Sequence, residues 1–361
     1  MWYNTKATER LGVQYPILQG PFGGGLSSVE LVATVSNLGG LGGYGAYGLS
    51  PQEIYAVDQQ IKAATGKPYN LNLWVSDTDA VHGTVSDAQY EAVKAQFKPY
   101  FDAAGIEMPP KPAPFKSRFE EQVQVVLDVR PKVFSFMFGT PSADVMEACR
   151  RRGITLVGAA TTLDEALALQ NAGVDLIIAS GFEAGGHRPS FLAPAEQSLT
   201  GSFVLLQLIR EKVNVPVIAA GGIADGRGVA AALTLGADAV QVGTAFLACD
   251  ESGALPVHKA ALFSEAARYT MLSRAFTGRL GRGLSTQLAK DLVGKESGML
   301  PFPLQTTFMS SLRRAALEGQ KHDVVLFWGG QIAPILKHRK AAQLMESLIA
   351  ETSQILTPGR P

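Results

Sequence analysis

Strand-length runs that are apolar along their whole length recur through this chain and alternate with amphipathic stretches ending on glycine. The runs are Pro16 to Gln19, Tyr69 to Trp74, Val133 to Phe138, Thr155 to Ala159, Leu176 to Ala179, Pro216 to Ala220 and Ala239 to Val242. A strand apolar on both faces belongs to a parallel sheet covered by helices, since a sheet with one wet face alternates apolar and polar residues. Between the runs, Ala143 to Arg152 stops at Gly153, Leu163 to Ala172 at Gly173 and Gly228 to Leu235 at Gly236, the pattern of helices closed by a left-handed glycine. Thr162 and Glu165 have the spacing of a capping box at the start of the second of these. The glycine-rich stretch Gly39 to Gly48, after a helical pattern over Val29 to Leu38, supplies an eighth strand. Eight strands favour a closed TIM (β/α)8 barrel, with an open doubly wound sheet as the alternative that periodicity leaves standing.

Two segments break the alternation. Residues 76–130, containing Pro109-Pro110-Lys111-Pro112-Ala113-Pro114, read as a long excursion, and residues 251–324 as an inserted, mainly helical subdomain. The expected organisation is a barrel over 1–250, a substrate or lid subdomain over 251–324, and C-terminal helices over 325–361 packing back on the barrel. Thirty-two basic and thirty-two acidic residues leave no net charge, so no overall field draws the chain to nucleic acid or to an anionic membrane. Cys149 and Cys249 are too few and too far apart for a disulfide framework or a metal site, and are expected to be buried, inert thiols. The N-terminus lacks the apolar core of a signal peptide and no run of about eighteen apolar residues occurs, so a soluble, cytoplasmic protein is expected.

The most informative stretch is Leu176 to Arg188. An apolar strand runs into Gly181, Gly185 and Gly186, where backbone can approach a ligand, and then presents His187 and Arg188 at the C-terminal strand end, where barrel enzymes build their sites. The plainer reading is an ordinary turn with a surface histidine; the flanking glycines favour a site. The other histidines, His82, His258, His322 and His338, form no metal-ligand spacing with His187, which points to a base or hydrogen-bond donor instead of a ligand. After the last two strands come Gly221-Gly222 and Gly243-Thr244, two glycine turns whose backbone N–H groups form an anion cradle where barrels bind phosphate, although two tight turns alone would look the same. Gly40 to Gly45 matches GxGxxG but follows a helix instead of opening one, so it reads as a closely packed strand. Phe134, Phe136 and Phe138 alternate at strand spacing, a packing stripe.

On these residues the chain resembles the nitronate monooxygenases, also called 2-nitropropane dioxygenases, which are FMN-dependent barrel enzymes. The resemblance covers almost the whole chain. It is carried by Pro16 to Phe22, Asn70 to Leu73, Val133 to Gly139, Gly181 to Arg188, Pro216 to Gly228, Gly236 to Ser252, Thr277 to Arg279, Arg282-Gly283 and Trp328 to Gln331. It is strongest to the class that needs no nicotinamide cofactor. The resemblance implies that His187 is the base taking the α-proton from a neutral nitroalkane, with O2 as co-substrate and a carbonyl compound and nitrite as products. It implies FMN contacts at Asn72, Gly185, Gly186, Gly221 and Val242, and around the phosphate at Gly222, Gln241, Gly243 and Thr244. Phe22 and Ser180 stand where the family usually has a methionine and a glutamine facing the flavin. Met137 replaces a histidine and Pro189 a glycine, departures expected to act on rate and substrate range.

The leading expectation is therefore an FMN-dependent oxidation of small alkyl nitronates, propionate 3-nitronate among them, by a monomer or homodimer. The alternatives are an NAD(P)H-dependent quinone or enoyl-acyl-carrier-protein reductase on the same barrel, a non-catalytic flavin- or phosphate-binding module, and a cofactor-free isomerase or aldolase. The 251–324 insertion is expected to close over the flavin, with Arg279 and Arg282 as candidate anion contacts.

Overall fold

Each of the eight apolar runs is a strand, and the eight lie parallel in one sheet. A computed structural model describes residues 1–75 and 85–357. In chain order the strands are β1 (Ile17–Gln19), β2 (Gly42–Gly45), β3 (Tyr69–Trp74), β4 (Val133–Met137), β5 (Thr155–Ala160), β6 (Leu176–Ser180), β7 (Gly186–His187), β8 (Val217–Ala220), β9 (Ala239–Val242), β10 (Thr270–Ser273) and β11 (Gly281–Leu284). The large sheet runs β1-β9-β8-β6-β5-β4-β3-β2, and parallel bridges Leu18 to Leu41 and Phe22 to Tyr44 join its two ends into a TIM barrel.

Burial on both faces explains why the runs lack alternation. Leu176 and Ile178 of β6 belong to the barrel's interior cluster, with Leu18, Val157 and Ile218, while Ile177 and Ala179 pack outward under the helices with Leu71, Phe134 and Phe136. Ala7 and Leu11 of the helix Lys6–Leu11 join the interior cluster, and the Arg10 carbonyl accepts from Thr155 at the start of β5, so this helix plugs the N-terminal end of the barrel. Gly153, Gly173 and Gly236 sit at φ +71°, +88° and +100°, the left-handed stops expected of them. The glycines of β2 are packing residues: a Cβ on Gly42 would lie 2.2 Å from the Val32 carbonyl oxygen of the covering helix Val29–Asn37. The closing helix Ala341–Leu356 packs on the helix Gly226–Thr234, whose Gly226 N–H donates to Glu351 at 2.9 Å.

Of the excursion over 76–130, residues 76–84 lie outside the described residues. The rest forms two helices, Asp87–Ala104 and Phe119–Val129. The second covers the barrel, but the first packs through Tyr90, Val93, Phe97 and Phe101 against Phe276, Leu288, Leu304, Phe308 and Leu312. The layer over the barrel mouth thus draws on both irregular segments. The 251–324 segment is not helical throughout: β10 and β11 form an antiparallel pair that adds β7 as a third strand, with Gly281 opposite His187. Among the described residues no helix is long and apolar enough to cross a membrane.

Candidate active site

The residues singled out in the sequence converge on the C-terminal mouth of the barrel. The Gly20 N–H donates to the Val242 carbonyl at 2.9 Å, and a Cβ on Gly20 would meet the Phe22 ring at 3.3 Å and Gly243 at 3.4 Å, which brings the ends of β1 and β9 together. Gly221 and Gly222, at φ +104° and +73°, turn back beside Ala184 and Glu183. A loop over residues 328–331 stitches the two turns together. Its Gly330 N–H donates to Thr244 Oγ1 at 2.9 Å and its Gln331 N–H to the Glu183 carbonyl at 3.0 Å. Gly185 is required there, because a Cβ would lie 2.6 Å from the Gly330 nitrogen. At Gly243, by contrast, a Cβ would meet nothing within 4 Å, so this turn faces open space. Gln241, half-buried, lies opposite Leu18 and Ala220 in the barrel wall just before it.

Asn72, on β3, is 2% exposed and donates through Nδ2 to Ser135 Oγ at 2.9 Å. Among the described residues its Oδ1 is a buried acceptor with no partner. A buried unmatched acceptor inside a barrel mouth fits a ligand N–H, and together with the open Gly243 turn it fits a flavin with a terminal phosphate.

His187 is held on both sides. Its backbone lies in β7 against β11, the Arg188 N–H donates to the Leu280 carbonyl at 2.9 Å, and its Nε2 is 2.9 Å from Thr277 Oγ1. Rings of Trp328, Trp74 and Phe302 stand edge-on to it at 4.9, 5.4 and 5.4 Å. The residue is half-buried, these apolar neighbours offer nothing to balance an imidazolium, and desolvation pushes its pKa down to about 3. The side chain is therefore a neutral imidazole at neutral pH. Beside it a cavity of about 430 Å³ is lined by Phe138, Phe302, Arg279 and the 190–195 loop, the size of a small-molecule pocket. The Arg279 guanidinium lies 3.8 Å from the Phe138 ring centroid and 4.8 Å from that of Phe302, and burial lowers its pKa to about 10, which leaves it charged.

Four residues make contacts that the sequence does not reveal. Arg188, beside the base in sequence, is 1% exposed and donates to the carbonyls of Gly181, Ser180 and Ser198 at 2.6, 3.0 and 2.8 Å, so it clamps the loop from the wall of the same cavity. Ser180 contributes that carbonyl; at 8% exposure it is a buried strand end. Arg282 donates through Nε to the Phe182 carbonyl and through Nη1 to Thr270 Oγ1 and stacks on Phe182, while its buried Nη2 has no partner among the described residues. Glu165 does not close a capping box with Thr162. Its carboxylate accepts instead from Thr161 and from the Phe191 and Leu192 N–H groups, pinning the loop after His187. Thr277, Trp74 and Phe302 were not foreseen as site residues. Trp328 and Thr277 lay in matched blocks with no role attached, and only the fold carries them to the histidine.

The family model described as nitronate monooxygenase matches residues 4–351. A probable nitronate monooxygenase of Staphylococcus haemolyticus is 37% identical over 362 residues, covering all of both chains, and one of Staphylococcus aureus is 34% identical over 99% of each. Among solved structures, the nitroalkane oxidase from Streptomyces ansochromogenes superposes with a TM-score of 0.88 at 33% identity, covering 97% of this chain and 99% of that one. FabK from Thermotoga maritima follows the same fold at 28% identity and a TM-score of 0.76, over 98% and 97% of the chains.

Proposed function

Because this chain belongs to the nitronate monooxygenase family, and so is an oxidoreductase, we propose that it binds FMN across the barrel mouth and oxidises small alkyl nitronates with O2 to carbonyl compounds and nitrite. The observation that carries the reading is His187, anchored to Thr277 and ringed by Trp74, Phe302 and Trp328, with Phe302 also lining the cavity that Phe138 and Arg279 share. Asn72 Oδ1 would accept from the flavin ring, and the turns at Gly222 and Gly243, with Thr244, would hold the phosphate. When bound, FMN supplies the electron acceptor that the nitronate needs and passes the electrons to O2.

The chain's own residues do the rest. A neutral nitroalkane is a weak carbon acid, and His187 takes its α-proton. Burial keeps the imidazole unprotonated, so its lone pair is free at neutral pH, and its aromatic walls exclude water from the nascent nitronate. Arg279, charged and stacked on Phe138 at the cavity wall, offsets the negative charge that develops on the nitro oxygens. A substrate supplied as the nitronate needs no base.

Two measurements check this reading. Under anaerobic conditions, ethyl nitronate or propionate 3-nitronate should bleach the flavin of the FMN-loaded protein, and NADH or NADPH should not. Bleaching by the nicotinamides alone would replace the proposal with a reductase, and a flavin inert to both would leave a binding module. Separately, Asn72→Leu should raise the FMN dissociation constant about tenfold by leaving the flavin donor unmatched. Unchanged affinity in a calorimetric titration would place the flavin elsewhere.

A further inference from the structure

Thr277 stands at the centre of a small hydrogen-bond set. Its Oγ1 lies 2.9 Å from His187 Nε2 and 3.0 Å from the Arg279 carbonyl oxygen, and it accepts from the Arg279 N–H at 3.3 Å. The residue is 8% exposed, so the atoms around its hydroxyl depend on one another and not on water. A threonine hydroxyl has one hydrogen and two lone pairs. If the hydrogen goes to the Arg279 carbonyl, one lone pair takes the Arg279 N–H and the other must be met by a donor, which makes His187 Nε2 carry its proton. If the hydrogen went to Nε2 instead, Oγ1 and the Arg279 carbonyl oxygen would face each other at 3.0 Å with no hydrogen between them. The first arrangement satisfies every group, so it is the one a buried site adopts. Nδ1 of the same ring receives no hydrogen bond from the described residues.

We propose that Thr277 is a positioning residue that fixes His187 as the Nε2–H tautomer, so that Nδ1 presents the lone pair that takes the substrate's α-proton. The assignment of the tautomer stands on the hydrogen-bond set alone; the role of Nδ1 as base rests on the proposed function. In the step itself the C–H bond breaks, its electron pair moves into the nitronate, and Nδ1 gains the proton. The resulting imidazolium keeps Nε2–H donating to Thr277, so the ring need not turn during the reaction.

The tautomer is read directly from nitrogen chemical shifts of the FMN-loaded protein labelled with 15N-histidine, whether or not it turns over substrate. Wild type should show a neutral His187 protonated at Nε2, and Thr277→Val, which keeps the shape and removes the hydroxyl, should show mixed tautomers. Observation of Nδ1–H in wild type would overturn the proposal. In turnover, Thr277→Val should lower kcat/KM for neutral nitroethane about tenfold, because the ring loses both its tautomer and its anchor, while ethyl nitronate is oxidised as in wild type. Thr277→Ser, which restores the hydroxyl, should recover the neutral substrate. Unchanged nitroethane turnover in Thr277→Val, or equal loss on both substrates with no rescue by serine, would reject the positioning role. A wild type that oxidises nitronate but shows no step dependent on a base would remove the role of Nδ1 together with the reading it rests on, and leave the tautomer assignment to the spectrum.

Discussion

Replacing His187 with alanine should lower kcat/KM for neutral nitroethane by about 10²- to 10⁴-fold, the range typical of a lost general base, and leave ethyl nitronate within about twofold of wild type. The asymmetry matters more than the size. A side chain that only shaped the pocket would affect both substrates, which differ by a single proton. The variant should keep its flavin, since among the described residues the histidine side chain bonds to Thr277 and its backbone is fixed by β11. The pH profile adds a sign. A base works in its unprotonated form, and burial moves His187 from 6.5 down to about 3, so kcat/KM for the neutral substrate should hold through the range where an exposed histidine would be protonated and idle. An acid limb at the usual histidine value, or equal losses on both substrates, would contradict the assignment.

Arg188→Met should give the largest loss of stability of any single change near the site, about 3–5 kcal/mol, seen as a lower urea midpoint. The guanidinium is nearly sealed from solvent and donates to three carbonyls, those of Ser180, Gly181 and Ser198, while the Glu165 and Glu183 carboxylates lie within its field. Methionine fills most of the volume and abandons the carbonyls. Lysine should fail nearly as badly, because a single ammonium cannot match acceptors arranged for a planar fork. Residual turnover per folded, flavin-loaded molecule should stay close to wild type, which separates this clamp from the base next to it. A midpoint unchanged by Arg188→Met would show that the loop holds itself.

What the sequence made legible follows from which interactions are local. The eight barrel strands could be read because burial on both faces writes itself into consecutive residues, and the helices because their glycine stops are local geometry. β7 could not: a strand of two residues has no period, and its partners are Gly281 and Arg282, far along the chain. The loop contacts of Arg188 and Arg282 stay hidden for a related reason. A charged side chain normally reads as solvated or ligand-facing, and only the folded loop reveals the carbonyls it donates to. The glycine turns and His187 were legible as a site, but its shape was not, because Thr277, Phe302 and Trp328 reach the histidine from segments whose local sequence carries no chemical signature.

The histidine's strand is completed by residues of the covering layer, and this ties two traits that usually diverge separately. A chimera that received the 251–324 segment of a relative would acquire with it new cavity walls and also a new partner strand and a new hydroxyl or its absence at position 277. Substrate preference and proton-abstracting strength would then be inherited as one package. Variation in the covering layer should therefore show up among relatives as a shift in which form of the substrate, acid or anion, each enzyme prefers.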